Sequence, residues 1–236
     1  MQSASNHRSP SAVVVGSGPN GLAAAIRLAE EGRSVLVVEC HDEIGGGART
    51  AELTLPGFRH DVCSAIHPMG LASPFLRRLP LEDHGLEWIH PELPLAHPLD
   101  DGRAAVLARS VEETAAAIDA SSGRAYRRVF GPLVEKTDEL LGDLLAPPGI
   151  PSHPFLAAAF GIRAIPSSLG AARAWFSDEG ARALLAGNGA HSVLPLDRIL
   201  STNAIGLMLM LVAHAKGWPV AKGGSASIVR AMAAHL

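Results

Sequence analysis

Val13-Val14-Val15-Gly16-Ser17-Gly18-Pro19-Asn20-Gly21 is the stretch on which the fold turns. Residues 12–15 form a short apolar, β-branched run that reads as a buried parallel strand. Gly16 to Gly21 then make a glycine-rich turn. Leu22, Ala25, Ile26, Leu28 and Ala29 follow at helical spacing, and Gly32 supplies the stop. Residues 34–39, Ser-Val-Leu-Val-Val-Glu, read as a second buried strand. A strand, turn, helix and strand within residues 12–39 predict an α/β fold, with the first unit of a doubly wound, Rossmann-like sheet.

The turn has the chemistry of a dinucleotide site. Gly16 permits a tight turn, Gly18 has no Cβ to obstruct a diphosphate, and Gly21 lets the helix pack closely on the strands. The helix N-terminus offers unpaired N–H groups and the positive end of the helix dipole. Ser17 and Asn20 lie in the same turn and join the cofactor-binding candidates. Glu39 stands 23 residues after Gly16, near the spacing of about 20 expected for a ribose ligand. Its carboxylate can accept from both hydroxyls of an adenosine ribose and would repel a 2′-phosphate, which disfavours NADP. That contact fits NAD and FAD alike. Ile44-Gly45-Gly46-Gly47-Ala48-Arg49-Thr50, only a few positions on, favours FAD. Its glycine backbone can pass close to a diphosphate, and Arg49 can reach a phosphate or the flavin edge.

The chain has 236 residues, 47% of them hydrophobic, and a mean hydropathy of +0.20, enough for a sizeable core and too apolar for a wholly disordered chain. A net charge of −3 and a pI near 6.4 make no global case for nucleic acid or an anionic membrane as partner. The charged fraction of 18% is below the average of about 25%, which suggests large buried areas, a ligand cavity or a missing partner surface. Cys40 and Cys63 cannot build a disulfide scaffold and are expected to be small buried hydrophobes in a reducing compartment, the cytoplasm. The first eleven residues are polar, without an apolar signal core. The longest apolar run, residues 204–212, is far short of the roughly 20 needed to span a bilayer, so no transmembrane segment is expected. Eleven histidines occur without HxxxH, HExxH or a carboxylate cluster at ligand spacing, and no metal site is expected. His60 and His67 read as satisfied loop histidines and Lys222 as a surface lysine.

Further along, residues 53–61 and 86–89 read as short strands. Residues 95–99 and 103–107 read as a hairpin around Asp100-Asp101-Gly102. Ser110-Val-Glu-Glu113 is a capping box opening a helix through about Ala120. Helices are expected near 123–145, 154–163, 166–175, 178–186, 198–215 and 227–236. The resulting division is a cofactor-binding part over 1–70, a mostly helical substrate or cap domain over 71–216, and a return segment over 217–236.

The run GSGPNGLAAAIRLAEEGRSVLVVE followed by GGGART resembles the phytoene-desaturase-like branch of the flavin amine oxidase superfamily, and the resemblance continues through residues 55–61 and 219–225. It implies that Gly16, Gly18 and Gly21 form the phosphate turn, that Glu39 is the ribose ligand, and that Gly46, Gly47 and Arg49 form the second glycine motif. In the family the arginine commonly follows the glycines directly; here Ala48 intervenes. The resemblance further implies that Phe58-Arg-His-Asp61 leads the chain towards the flavin and that Gly223-Gly224 brings it back to the cofactor domain. The implied activity is FAD-dependent oxidation, a hydride passing from a substrate C–H to flavin N5, with no catalytic residue named. The implied partner is a small molecule, lipophilic by the apolar character of the helical insert. Family members continue well past the Gly-Gly return, whereas this sequence stops at Leu236. An N-terminal portion, lacking a C-terminal half and poor in turnover, is therefore expected. A non-catalytic fragment that binds FAD weakly or not at all, and an NAD-dependent dehydrogenase, remain as other readings.

Overall fold

The computed structural model describes residues 9–236. The first eight residues of the expected polar lead-in lie outside the described residues. In chain order come β1 (Ala12–Val15), α1 (Pro19–Glu30), β2 (Val35–Val38), β3 (Thr50–Glu52), β4 (Arg59–Asp61), α2 (Pro68–Ala72) and β5 (Trp88–Ile89). Next are β6 (Leu95–Pro98), β7 (Ala104–Leu107), α3 (Val111–Ala116), α4 (Ala120–Val134), α5 (Thr137–Leu144) and α6 (Pro154–Ala164). The remainder is α7 (Ser168–Trp175), α8 (Glu179–Gly189), α9 (Thr202–Ala215), β8 (Val220–Ala221) and α10 (Ala226–His235). The chain divides into two compact units. One holds the residues through His67 with Phe75–Ile89 and Val220–Leu236; the other holds Pro68–Pro74 and His90–Pro219.

In the first unit β1 runs parallel to β2, with Ala12 opposite Val35 and Val15 opposite Val38. The helix between them starts three residues earlier than the apolar spacing predicts. Gly18 is its N-cap and Pro19 takes the first helical position, where the missing N–H costs nothing. Leu22, Ala25 and Ile26 form the buried stripe of α1. Leu22 and Ile26 share a core with Leu79, Leu81, Leu86, Val229 and Met232. The strands, expected to be buried, are half-buried on one face and exposed on the other. Val13 and Val15 on the other face are 56% and 83% exposed, because among the described residues this sheet has two strands and α1 covers a single side. The strand expected over 53–61 is instead the antiparallel pair β3–β4, with Thr50 opposite Asp61. Pro56-Gly57 breaks it: Gly57 has φ of 85° and the Phe58 N–H closes a turn on Leu55 O.

The second unit is mostly helical around Tyr126, Phe130, Leu133, Phe176, Leu184, Leu207 and Met210. Its hairpin pairs Leu95 with Leu107. Ser110 Oγ accepts from Glu112 N and Glu113 N, so Ser110 caps α3 as expected, but the helix stops at Ala116 rather than running on to Ala120. The single helix expected over 123–145 is two. Asp119 starts α4 at Ala120 by accepting from Ser121 N and Ser122 N. Pro132 sits in its last turn, and Lys136 leaves helical geometry at φ −109° and ψ 19° before α5 begins. The apolar run expected as core is core: Leu207, Met210, Val212 and Ala213 of α9 are fully buried. Among the described residues, no single helix is long and apolar enough to cross a membrane.

Candidate functional site

The glycine turn lies between β1 and α1. Gly16 has φ of 95°, a conformation that L side chains rarely adopt. Gly21 is demanded by the chain itself, since a Cβ there would overlap the Gly16 carbonyl oxygen. Gly18 is different. Its φ of −66° is ordinary, and a Cβ would meet nothing nearer than Gly46 Cα at 3.8 Å. The backbone does not require glycine at 18, and the space beside it is open. Across that space lies the second glycine loop. A Cβ on Gly46 would come within 3.1 Å of Gly18 Cα, so the two glycine motifs face each other backbone to backbone. No side chain caps the N-terminus of α1, and its first N–H groups have no side-chain acceptor. Asn20 is exposed on that first turn.

Glu39 follows the end of β2 and reaches the turn. Its Oε2 accepts from Ser17 N at 2.9 Å and from Ser17 Oγ at 2.6 Å. Its Oε1 accepts from Cys40 N at 2.8 Å, His41 N at 3.2 Å and Cys40 Sγ at 3.3 Å. The Ser17 hydroxyl first, and then the Ser17 and His41 N–H groups, hold this carboxyl far below the usual carboxylate range. It is ionised at any working pH. Ser17, almost completely buried, also accepts from Gly45 N at 3.4 Å and so joins the carboxylate to the second glycine loop. Arg49 Nε donates to Gly46 O at 2.9 Å, which fixes its side chain along that loop without using the Nη groups. Gly47 is exposed on the same loop.

A cluster the sequence motifs only bordered lies elsewhere in this unit. Asp61 Oδ1 accepts from Thr50 Oγ1 and from Ser225 N, both at 2.7 Å. Thr50 Oγ1 accepts from Ala226 N at 3.0 Å, and Ser225 Oγ donates to Ser64 O. His67 Nε2 lies 2.7 Å from the Ser225 hydroxyl; burial first lowers its pKa, and the Asp61 charge opposes the shift. Gly224, at φ of 92°, fits only without a side chain, since a Cβ would overlap Thr50. Thr50, Arg59, Asp61, Gly223 and Gly224 line a cavity of about 240 Å³. The structure thus ties the end of GGGART, the FRHD stretch and the KGGS stretch together. Sequence reasoning misses Thr50 and Ser225 because a hydroxyl after glycines carries no pattern of its own; only their adjacency to the two motifs marks them.

Three smaller expectations can be placed. Cys40 and Cys63 are not buried: both are free and exposed, in the loops after β2 and β4 rather than inside the strands. Lys222 is a surface lysine, 2.7 Å from Glu87. His60 is satisfied by Thr54 Oγ1 at 2.7 Å.

Residues 14–79 match the NAD(P)-binding Rossmann-like domain family. A limonene dehydrogenase chain of Castellaniella defragrans is 33% identical over 132 residues, 55% of this chain and 24% of that protein. All-trans-retinol 13,14-reductase of Danio rerio is 51% identical over 59 residues, 25% of this chain and 9% of that protein. Among solved structures, a putrescine oxidase redesigned for cofactor binding is similar over 95% of this chain and 48% of its own, with a TM-score of 0.56 and 19% identity. Cyclohexylamine oxidase from Brevibacterium oxydans is similar over 96% of this chain and 49% of its own, with a TM-score of 0.53 and 18% identity. The chain thus spans about half the length of these structures and a quarter or less of these two curated relatives. Residues 14–79 thus match a Rossmann-like dinucleotide-binding model, and the fold is similar to the one that amine oxidases carry, as the resemblance read from the glycine motifs implied.

Proposed function

We propose that this chain belongs to an FAD-dependent oxidoreductase, and that the facing glycine motifs of the first unit hold the FAD. The observation that carries the reading is the open space beside Gly18, bounded by Gly46 and by an α1 N-terminus without a side-chain cap. An anionic diphosphate has the right chemistry for that cradle. Gly16, Ser17, Gly18, Asn20 and Gly21 would line the pyrophosphate. Glu39 would accept from the adenosine ribose. Gly46, Gly47 and Arg49 would stand on the other side, Arg49 offering its Nη groups to a phosphate or to the flavin edge. Bound FAD supplies a hydride acceptor for a substrate C–H. The chain's own work is binding and orientation: Ser17 fixes the carboxylate, Glu39 stays anionic and repels a 2′-phosphate, and the two glycine loops shield the diphosphate from water.

The substrate of this reading is a small lipophilic molecule. Support comes from the apolar helical unit and from relatives named for limonene and all-trans-retinol. The proposed division of labour is cofactor binding by residues 1–70 and 217–236 and substrate enclosure by 71–216. Two free, exposed thiols fit a reducing compartment such as the cytoplasm.

The test is reconstitution. Purified protein incubated with FAD and desalted should keep a flavin absorbance spectrum. Tight NAD binding with no flavin uptake would replace this reading with that of an NAD-dependent dehydrogenase.

A further inference from the structure

We infer that Glu39, Cys40 and His41 form a binding site for a zinc-like divalent transition metal, and that the metal competes with the cofactor for Glu39. The three residues are consecutive, so no spaced ligand motif announces them. The structure nevertheless brings one ligand atom of each, a carboxylate oxygen, Sγ and an imidazole nitrogen, within 4.8 Å of one another. Carboxylate, thiolate and imidazole are all zinc donors, and the thiolate selects for zinc over magnesium or calcium.

The sulfur and the carboxylate oxygen stand near coordination spacing, and the imidazole is close enough to join them by side-chain rotation. Tetrahedral Zn²⁺ with Zn–S of about 2.3 Å and Zn–O of about 2.1 Å places the sulfur and the oxygen about 3.6 Å apart. Cys40 Sγ and Glu39 Oε1 stand 3.3 Å apart. Cys40 and His41 are exposed, so both side chains can adjust without disturbing the core, and the fourth position is left to water. Binding would replace the Cys40 S–H···Oε1 hydrogen bond with a Zn–S bond, and the thiol proton would pass to solvent.

The competition follows from how Glu39 is held. Its Oε2 is committed to Ser17 N and Ser17 Oγ, and Ser17 is buried. Oε1 also accepts from Cys40 N and His41 N, but it is the oxygen beside Cys40 Sγ and so the one a metal would take. A metal there adds positive charge and a water ligand at the carboxylate that the ribose hydroxyls need. The competition rests on the FAD reading above; the metal site does not.

The full chain is titrated with Co²⁺ as a spectroscopic probe, then with Zn²⁺. The expected result is a thiolate-to-cobalt charge-transfer band that saturates at one equivalent and is abolished by Zn²⁺. Cys40→Ser should lose the band, His41→Ala should weaken metal binding roughly tenfold or more, and Cys63→Ser should keep both. Circular dichroism checks that each variant is folded. No thiolate band, or equal Zn²⁺ affinity in folded Cys40→Ser, would overturn the site. FAD uptake is then measured with and without Zn²⁺. Loss of uptake in the native chain but not in Cys40→Ser supports the competition; uptake indifferent to bound Zn²⁺ overturns it. If FAD is not taken up even without metal, the FAD reading fails while the Co²⁺ result still stands.

Discussion

Gly18 and Gly21 lie in one turn for different reasons, and substitution separates them. Gly21→Ala forces a Cβ into the Gly16 carbonyl, so it should destabilise the fold by about 1–3 kcal/mol, as overpacking typically does. Gly18→Ala meets only ordinary contacts, so urea unfolding should move by no more than about 1 kcal/mol. Its flavin uptake should nonetheless collapse, because the methyl stands in the space given to the diphosphate. A Gly18→Ala protein that retains FAD at full stoichiometry would show that the cradle is elsewhere. Glu39→Ala should raise the dissociation constant for FAD roughly tenfold or more without abolishing binding, since a charge-assisted acceptor is lost while the phosphate turn remains. Titration by flavin fluorescence quenching measures it.

The helices α8 and α9 cross at Gly206, where a Cβ would come within 3.0 Å of Leu185 O and 3.1 Å of Gly189 N. Gly206→Leu should therefore separate the two helices and destabilise the second unit by a few kcal/mol, about 1–3 for overpacking alone, read as a lower denaturation midpoint. Between α4 and α9 sits a buried polar pair. His214 Nδ1 donates to Arg109 O at 3.0 Å, which leaves Nε2 to accept from the Tyr126 hydroxyl at 2.7 Å. Burial lowers the His214 pKa and raises that of Tyr126, so both are neutral in the folded chain. The native state then binds a proton at His214 less readily than the unfolded state. Its contribution to stability is full above the unfolded histidine value of about 6.5 and is lost as pH falls through it, until the native imidazole also titrates. Urea midpoints measured between pH 8 and pH 5 should fall with acid, and the slope should be shallower in His214→Leu.

A cofactor that binds only the folded first unit must raise the free energy of unfolding by mass action. At FAD a hundredfold above its dissociation constant the increment is about 2.7 kcal/mol, which should appear as a higher, concentration-dependent melting temperature. NADP at the same concentration should give a much smaller shift, because Glu39 is anionic and would face the 2′-phosphate. Equal shifts from FAD and NADP would remove Glu39 from the ribose. The same anionic carboxylate is where Zn²⁺ is placed, so adding Zn²⁺ should shrink the FAD-induced shift.

The parts legible in the sequence were those set by neighbours along the chain. The β1–α1–β2 unit follows from β-branched runs, a glycine turn and 3.6-residue spacing; the Ser110 cap and the Asp101-Gly102 hairpin follow from residues a few positions apart. The cofactor candidates are proposed on the same local basis, since Gly16 through Gly21, Glu39 and Gly46 through Arg49 lie close along the chain. Packing settled what pattern left open. Only the tertiary structure shows that Gly18 is free of steric demand while Gly21 is not, because that depends on where the Gly16 carbonyl and Gly46 lie in space. Only it joins Asp61 to Ser225, 164 positions apart, and sets Cys40 in the open beside Glu39. Periodicity reports which face of an element is apolar, whereas such contacts arise from what folds against that face, and no local spacing encodes the partner.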